Sequence, residues 1–328
     1  MPTAENAKLE YEAGQTGTGL FGQLTNSGDA QTFTSSADLW SGKSGYSPSI
    51  RPNGLVTGGA ITPAVSGSND VVDVAAITCY LAGEEVTVSA GTDVSITRAV
   101  STDTHIINSI TVNSSGAIAV VAGTDGTAFV STRGAAGGPP LIPVDSIEIG
   151  QVRTTSFTAA AIAANEIFQV VGTHTERYDY PLWNVSLKDA QVEFLASLPL
   201  IHTGGVAKQV FAKYYEPEFS EIPRASEFVP PETSYSVNST QVYGSTIGSS
   251  SKSLSGGSFS TILGNGVTDA VVAQKGQQLW FRFYPDRLSS PYILANGILG
   301  ISRQFPAGDS IVADCTIAAE EEAVNVEA

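Results

Sequence analysis

Gln278-Leu279-Trp280-Phe281-Arg282-Phe283-Tyr284 is the stretch that decides the fold class. Leu279, Phe281 and Phe283 fall on one face of an extended chain, and Trp280, Arg282 and Tyr284 fall on the other. That two-residue alternation, with bulky aromatic side chains, is the signature of a β-strand. The Trp280–Arg282–Tyr284 face is read either as packed against another layer or as part of an interface, where such residues are enriched.

Working outward, the same pattern repeats at short spacing. Ile298 to Ser302 and Ile311 to Ile317 read as strands, and the end from Ala318, with Glu320, Glu321 and Glu322, reads as a solvated tail. Upstream, Ser236 to Tyr243 reads as a strand and Gly244 to Gly257 as a Ser/Gly-rich loop. Residues 216–232 carry Glu216, Glu218, Glu221, Glu227 and Glu232 among Pro217, Pro223, Pro230 and Pro231. Proline removes a ladder donor, so this segment is excluded from the centre of a sheet. It reads as an extended acidic loop that either reaches a partner or lies on the surface. Gln209 to Tyr215 is a further run, and Val192 and Phe194 alternate with polar neighbours.

The first half is of the same kind. Val71 to Cys79 is a nearly continuous apolar run, expected of one strand buried on both faces. Val86, Val88, Val94, Ile96, Ile110 and Val112 then alternate with polar residues, and Ile118, Val120 and Val121 continue the series. Turns at Ala82-Gly83-Glu84, Asn113 to Gly116 and Gly123 to Gly126 punctuate them. Residues 158–169 (TAAAIAANEIFQ) are the best helix candidate, or else an irregular crossover. The whole therefore reads as all-β: an antiparallel sandwich or barrel core, a second small β-domain, extended loops and at most one or two short helices. The expected boundaries are an extended N-terminal arm over 1–54, a small antiparallel domain over 55–155, the core over 156–317 and an acidic tail over 318–328.

Composition narrows the chemistry. The chain has 328 residues and a formal charge of −16, so phosphate neutralisation of a nucleic acid is disfavoured. Acidity of this kind serves solubility, or a surface that passes a polyanion without holding it. Cys79 and Cys315 stand far apart in strand-like runs and read as buried free thiols. The start lacks the apolar stretch of a signal peptide, and no apolar run reaches membrane-spanning length. His105, His174 and His202 have no metal-ligand spacing, and no nucleophile elbow or P-loop occurs. No cofactor or metal is therefore expected, and no catalytic residue. Asp70 with Asp73 and Glu84 with Glu85 are candidate carboxylate pairs by proximity alone, and they read as turn and surface residues. Residues 178–183 (YDYPLW) form the densest aromatic cluster, which suits a ligand platform or a strand end packed on a neighbour.

Three segments carry a resemblance. FSTILGNG (259–266) precedes QLWFRFYPDR (278–287), and PYILANGILGISRQFPAGDSIVADCTI (291–317) follows. Together they resemble the C-terminal part of the major tail protein of long-tailed bacteriophages, over about Tyr178 to Ile317. The resemblance implies a subunit that closes with copies of itself into rings, commonly hexamers, which stack into a tube. Other tail proteins would meet the tube ends, and DNA would pass along an acidic lumen without specific binding. The protein would be made in the host cytoplasm and reside in the virion tail. The candidate assembly residues are then Glu216, Glu218, Glu221, Glu227, Glu232, Trp280, Arg282 and Tyr284. The rival readings are a capsid-decorating protein, a carbohydrate-binding or adhesive module and, furthest off, a glycosidase.

Overall fold

The computed structural model describes residues 5–178 and 182–327. The chain is all-β and antiparallel throughout its named ladders. Among the described residues there is no α-helix, only 3-10 turns at Ala164–Glu166, Thr203–Gly205 and Val272–Gln274. It divides into two compact units. One comprises residues 1–17, 39–47 and 214–328, and the other residues 18–38 and 48–213. The sequence boundaries at 54 and 155 do not coincide with this division, because the chain leaves and re-enters the first unit between distant segments.

The first unit is built on an eight-stranded sheet. Its path runs Tyr215–Glu221, Lys8–Gly17, Gln278–Tyr284, Tyr292–Gln304, Val312–Ala318, Gly257–Ile262, Ala225–Val229, with Val324–Val326 paired to Tyr292–Gln304. The path does not close into a barrel, but its strands share one core. Leu9, Tyr11, Phe259, Leu279, Phe281, Leu299, Ile301, Cys315 and Ile317 are buried together. Leu279 and Phe281 point inward as the alternation requires. Each such side chain contributes about 1.5–3 kcal/mol by leaving water. Leu279 sits opposite Gly297, where a Cβ would come within 2.6 Å of Ile317 Cγ2 and 2.8 Å of the Ala318 carbonyl oxygen. Only glycine lets these neighbouring strands of the sheet approach so closely at this point.

Several expectations change here. Residues 1–54 are not an extended arm: Lys8–Gly17 is an interior strand, paired on both sides by Tyr215–Glu221 and Gln278–Tyr284. Its inward residues, Leu9 and Tyr11, obey the two-residue period, but flanking charges hide it. Residues 216–232 are not a loop but two strands at the two ends of the sheet path, where a proline needs no second ladder partner. The tail is not wholly free, since Val324–Val326 adds to the sheet. Gly244 to Gly257 is not a loop either: Thr233–Val242 and Ser245–Leu254 form a hairpin with ten paired positions and no register break.

In the second unit the expected strands of residues 55–155 share one core, from Leu55 and Ile61 to Val152 and Ile162. A four-stranded sheet (Ile118–Ala122, Ile106–Asn113, Ser146–Thr154, Ile167–Phe168) contributes to it, as do two three-stranded sheets. Val71 to Cys79 is two strands, Val71–Val74 and Ile77–Leu81, lying in different sheets. The alanines between them let the chain change sheet within a continuous apolar run. A turn is expected at Ala82-Gly83-Glu84, and there Ala82 and Gly83 both take positive φ, 52° and 80°, closing a tight two-residue hairpin between Ile77–Leu81 and Glu84–Val88. The helix candidate 158–169 forms only one 3-10 turn and then the strand Ile167–Phe168. Burial of Ile162 in the core overrides the helix propensity of its alanines.

Candidate functional site

The outer face of Gln278–Tyr284 is where the sequence places an interface. Trp280 is buried within its own unit. Its indole N–H donates to the Trp40 carbonyl at 2.9 Å, and its main-chain N–H donates to Glu12 Oε2 at 3.3 Å. Ser41 donates to the other oxygen of the fully buried Glu12, and Gln15 Nε2 donates to it at 2.9 Å. Trp40 in turn packs on Tyr214, ring centroids 5.4 Å apart. Residues 39–47 thus cover this part of the sheet, and Trp280 is a packing residue rather than a surface one. Arg282 and Tyr284 are half-buried. The Arg282 guanidinium lies 3.8 Å from the Phe219 ring centroid and 5.1 Å from that of Tyr292, while Lys8 Nζ lies 4.2 Å from that of Tyr284. They form an alternating cation–ring ladder across neighbouring strands.

The five glutamates are exposed. Glu216, Glu218 and Glu221 stand with Pro217 on the terminal strand Tyr215–Glu221. Glu218 accepts from Thr16 and Glu221 pairs with Arg287 at 3.1 Å. Glu227 takes a positive φ of 56° inside a register shift of the other terminal strand. Glu232 lies at the base of the hairpin. Charges, proline and a bulge are the devices that keep sheet edges from adding foreign strands. Both ends of the sheet are therefore blunted.

The hairpin Thr233–Val242/Ser245–Leu254 is the opposite case. Nearly every residue in it is exposed, and Tyr235, Val237, Tyr243 and Ile247 are open to solvent. One face is a hydroxyl ladder, with Ser234 bonded to Ser253 at 2.9 Å and Ser236 to Ser251 at 2.6 Å. Lys252 is its only charged residue, within a chain of charge −16. Sequence reading found half of this element. A serine-rich second strand lacks the apolar alternation that would have marked the rest.

The other groups singled out from the sequence have local structural duties. Asp70 pairs with Arg98. Asp73 accepts the main-chain N–H groups of Val65 and Asp93, each at 2.9 Å, which holds its carboxyl below the usual range. Glu84 and Glu85 are exposed on a hairpin strand. Within the aromatic cluster, Asp179, Tyr180 and Pro181 lie outside the described residues. Tyr178 meets Tyr80 edge-on at 4.7 Å, and Trp183 tilts against Phe194 at 5.9 Å.

One further cluster escaped sequence reading. In the second unit a cavity of about 100 Å³ is lined by Arg133, Glu148, Thr175, Glu176, Arg177 and Lys208, among others. Glu148 binds Arg133 and accepts from Ser109 and from Gln151 Nε2. Burial pushes its carboxyl up against the opposing pull of Arg133, and burial likewise raises that of Glu176. Lys208, also buried, places Nζ 3.9 Å from Glu176 Oε1 and donates to the Arg177 carbonyl. Nearby, His174 Nδ1 faces the Val170 N–H at 3.2 Å and Nε2 faces Arg153 at 2.8 Å, so burial and the arginines lower its pKa. The one signal in the sequence was a glutamate between two isoleucines, Ile147-Glu148-Ile149. No protein-family model matches the chain, and neither a curated protein nor a solved structure matches it.

Proposed function

We propose that this chain is a structural subunit that assembles with copies of itself into stacked rings, the hexameric kind that the tail-tube resemblance implies. The rings form a phage tail tube that conducts DNA, and the chain is not an enzyme. The observation that carries the reading is the exposed hairpin Thr233–Leu254. A lone two-stranded ribbon is marginal in water, so a ten-pair ribbon with open Tyr, Val and Ile side chains calls for a covering surface. Its near-neutrality suits an acidic partner: the rest of the chain would repel a charged acidic arm but not this one. The blunted sheet ends favour contact through the ribbon over edge-to-edge strand addition. In a tube, the excess of carboxylates keeps DNA phosphates from sticking to the wall. Assembly in the host cytoplasm and residence in the virion tail follow from the same reading.

Negative-stain electron microscopy across a concentration series tests it. Hollow tubes or stacked rings of uniform width are expected, and particles that stay monomeric at high concentration would overturn the proposal.

A further inference from the structure

The cavity of the second unit holds a reactive arrangement that assembly does not use. Lys208 and Glu176 are both buried, and Nζ stands 3.9 Å from Oε1. The two oxygens of Glu176 are treated differently. Oε2 accepts the main-chain N–H of Glu148 at 3.4 Å, whereas Oε1 is buried with no hydrogen-bond partner. The cavity beside them has room for a water molecule to form and leave.

We infer that Lys208 and Glu176 become joined by an intramolecular amide bond, formed by the folded chain itself. Burial disfavours the charged form of each partner, and the step runs through the neutral pair, amine facing carboxylic acid. The amine nitrogen attacks Glu176 Cδ, and the Nζ–Cδ bond forms. Negative charge develops on Oε2, where the Glu148 N–H meets it. The Cδ–Oε1 bond then breaks, and Oε1 departs as water, carrying its own proton and one shed by the nitrogen. No oxidant, reductant or cofactor enters the balance. Fixed proximity supplies the driving advantage that a bimolecular amide condensation lacks. Burial raises the Glu176 carboxyl against the opposing pull of Lys208 and His202, the direction that favours the acid form the step needs. The bond would tie the segment before the Val210–Lys213 strand to the segment after the Ile167–Phe168 strand. Such a tie serves a chain whose two cysteines, both free and buried, provide no disulfide.

The test is the mass of the denatured full-length protein, followed by peptide mapping. The expected result is a chain lighter by one water than its sequence requires, and a branched peptide joining Lys208 to Glu176. A mixture of both masses that shifts to the lighter form on standing also supports the bond. The full mass, with trypsin cutting normally after Lys208, overturns it, and so does a lost water that maps elsewhere. Lys208→Met should return the chain to its own full mass. None of these readouts depends on whether the protein forms tubes.

Discussion

Trp280 and Trp40 are joined by a hydrogen bond of 2.9 Å from the indole of the first to the carbonyl of the second, although 240 positions separate them. This contact fastens residues 39–47 to the outer face of the sheet. Trp280→Phe keeps most of the packing but leaves the Trp40 carbonyl without its donor, and should cost about 1–3 kcal/mol. Trp40→Ala removes a fully buried ring and should cost about 3–5 kcal/mol. Urea denaturation reads both, and equal stability of Trp280→Phe and the parent would refute the role given to the bond.

The hairpin substitutions separate assembly from folding. Val237→Ser, Ile247→Ser and Tyr243→Ser change exposed positions, so each should shift subunit stability by less than about 0.5 kcal/mol. If the parent forms tubes as proposed, the triple variant is expected to sediment as a single subunit at the same concentrations. Unimpaired tube formation would show that the ribbon is not the contact.

Two buried groups give opposite pH dependences. The Glu148 carboxyl is raised by burial, so the folded state holds its proton more tightly than the unfolded chain. Its contribution is complete below the unfolded value of about 4.3 and is lost as pH rises through the folded pKa. His174 is lowered, so its contribution is complete above the unfolded value of about 6.5 and is lost as pH falls toward the folded pKa. Melting temperatures followed from pH 4 to 8 should therefore gain a steeper fall toward acid in Glu148→Gln, and a shallower one in His174→Gln. Parallel curves for parent and variants would count against both assignments.

Burial pushes the Cys315 thiol up to about 12, with Asp314 adding to it, and the Cys79 thiol up to about 11. At pH 8 both stay protonated and shielded, so a thiol-specific disulfide reagent should label neither until denaturant is added. Rapid reaction of either one in the native protein would show that its core opens readily.

Much of the fold was legible in local pattern. The alternation in 278–284, the strands of the 55–155 region and the free, buried cysteines all follow from one-dimensional spacing of apolar side chains. That spacing reports which way a side chain points relative to its neighbours in the chain. It says nothing of what lies opposite. Of the eight candidate assembly residues, sequence put the 216–232 glutamates in an acidic loop that either reaches a partner or lies on the surface, and Trp280 on a face either packed against another layer or part of an interface. Only the structure shows that Trp280 is spent on Trp40 and Glu12, and that the glutamates blunt strand edges.

What the sequence alone determined is the class: an acidic, all-β chain without metal-ligand spacings. Tertiary structure decided where strands meet. It set Lys8–Gly17 between partners more than 190 positions away, paired a serine-rich strand into the ribbon and brought Glu148, Glu176 and Lys208 around one cavity. The physical reason is the same in each case. Hydrogen-bonded ladders and buried ion pairs join residues by position in space, whether the partners are distant in the chain or, as in the ribbon, carry no apolar alternation, so no local period records them.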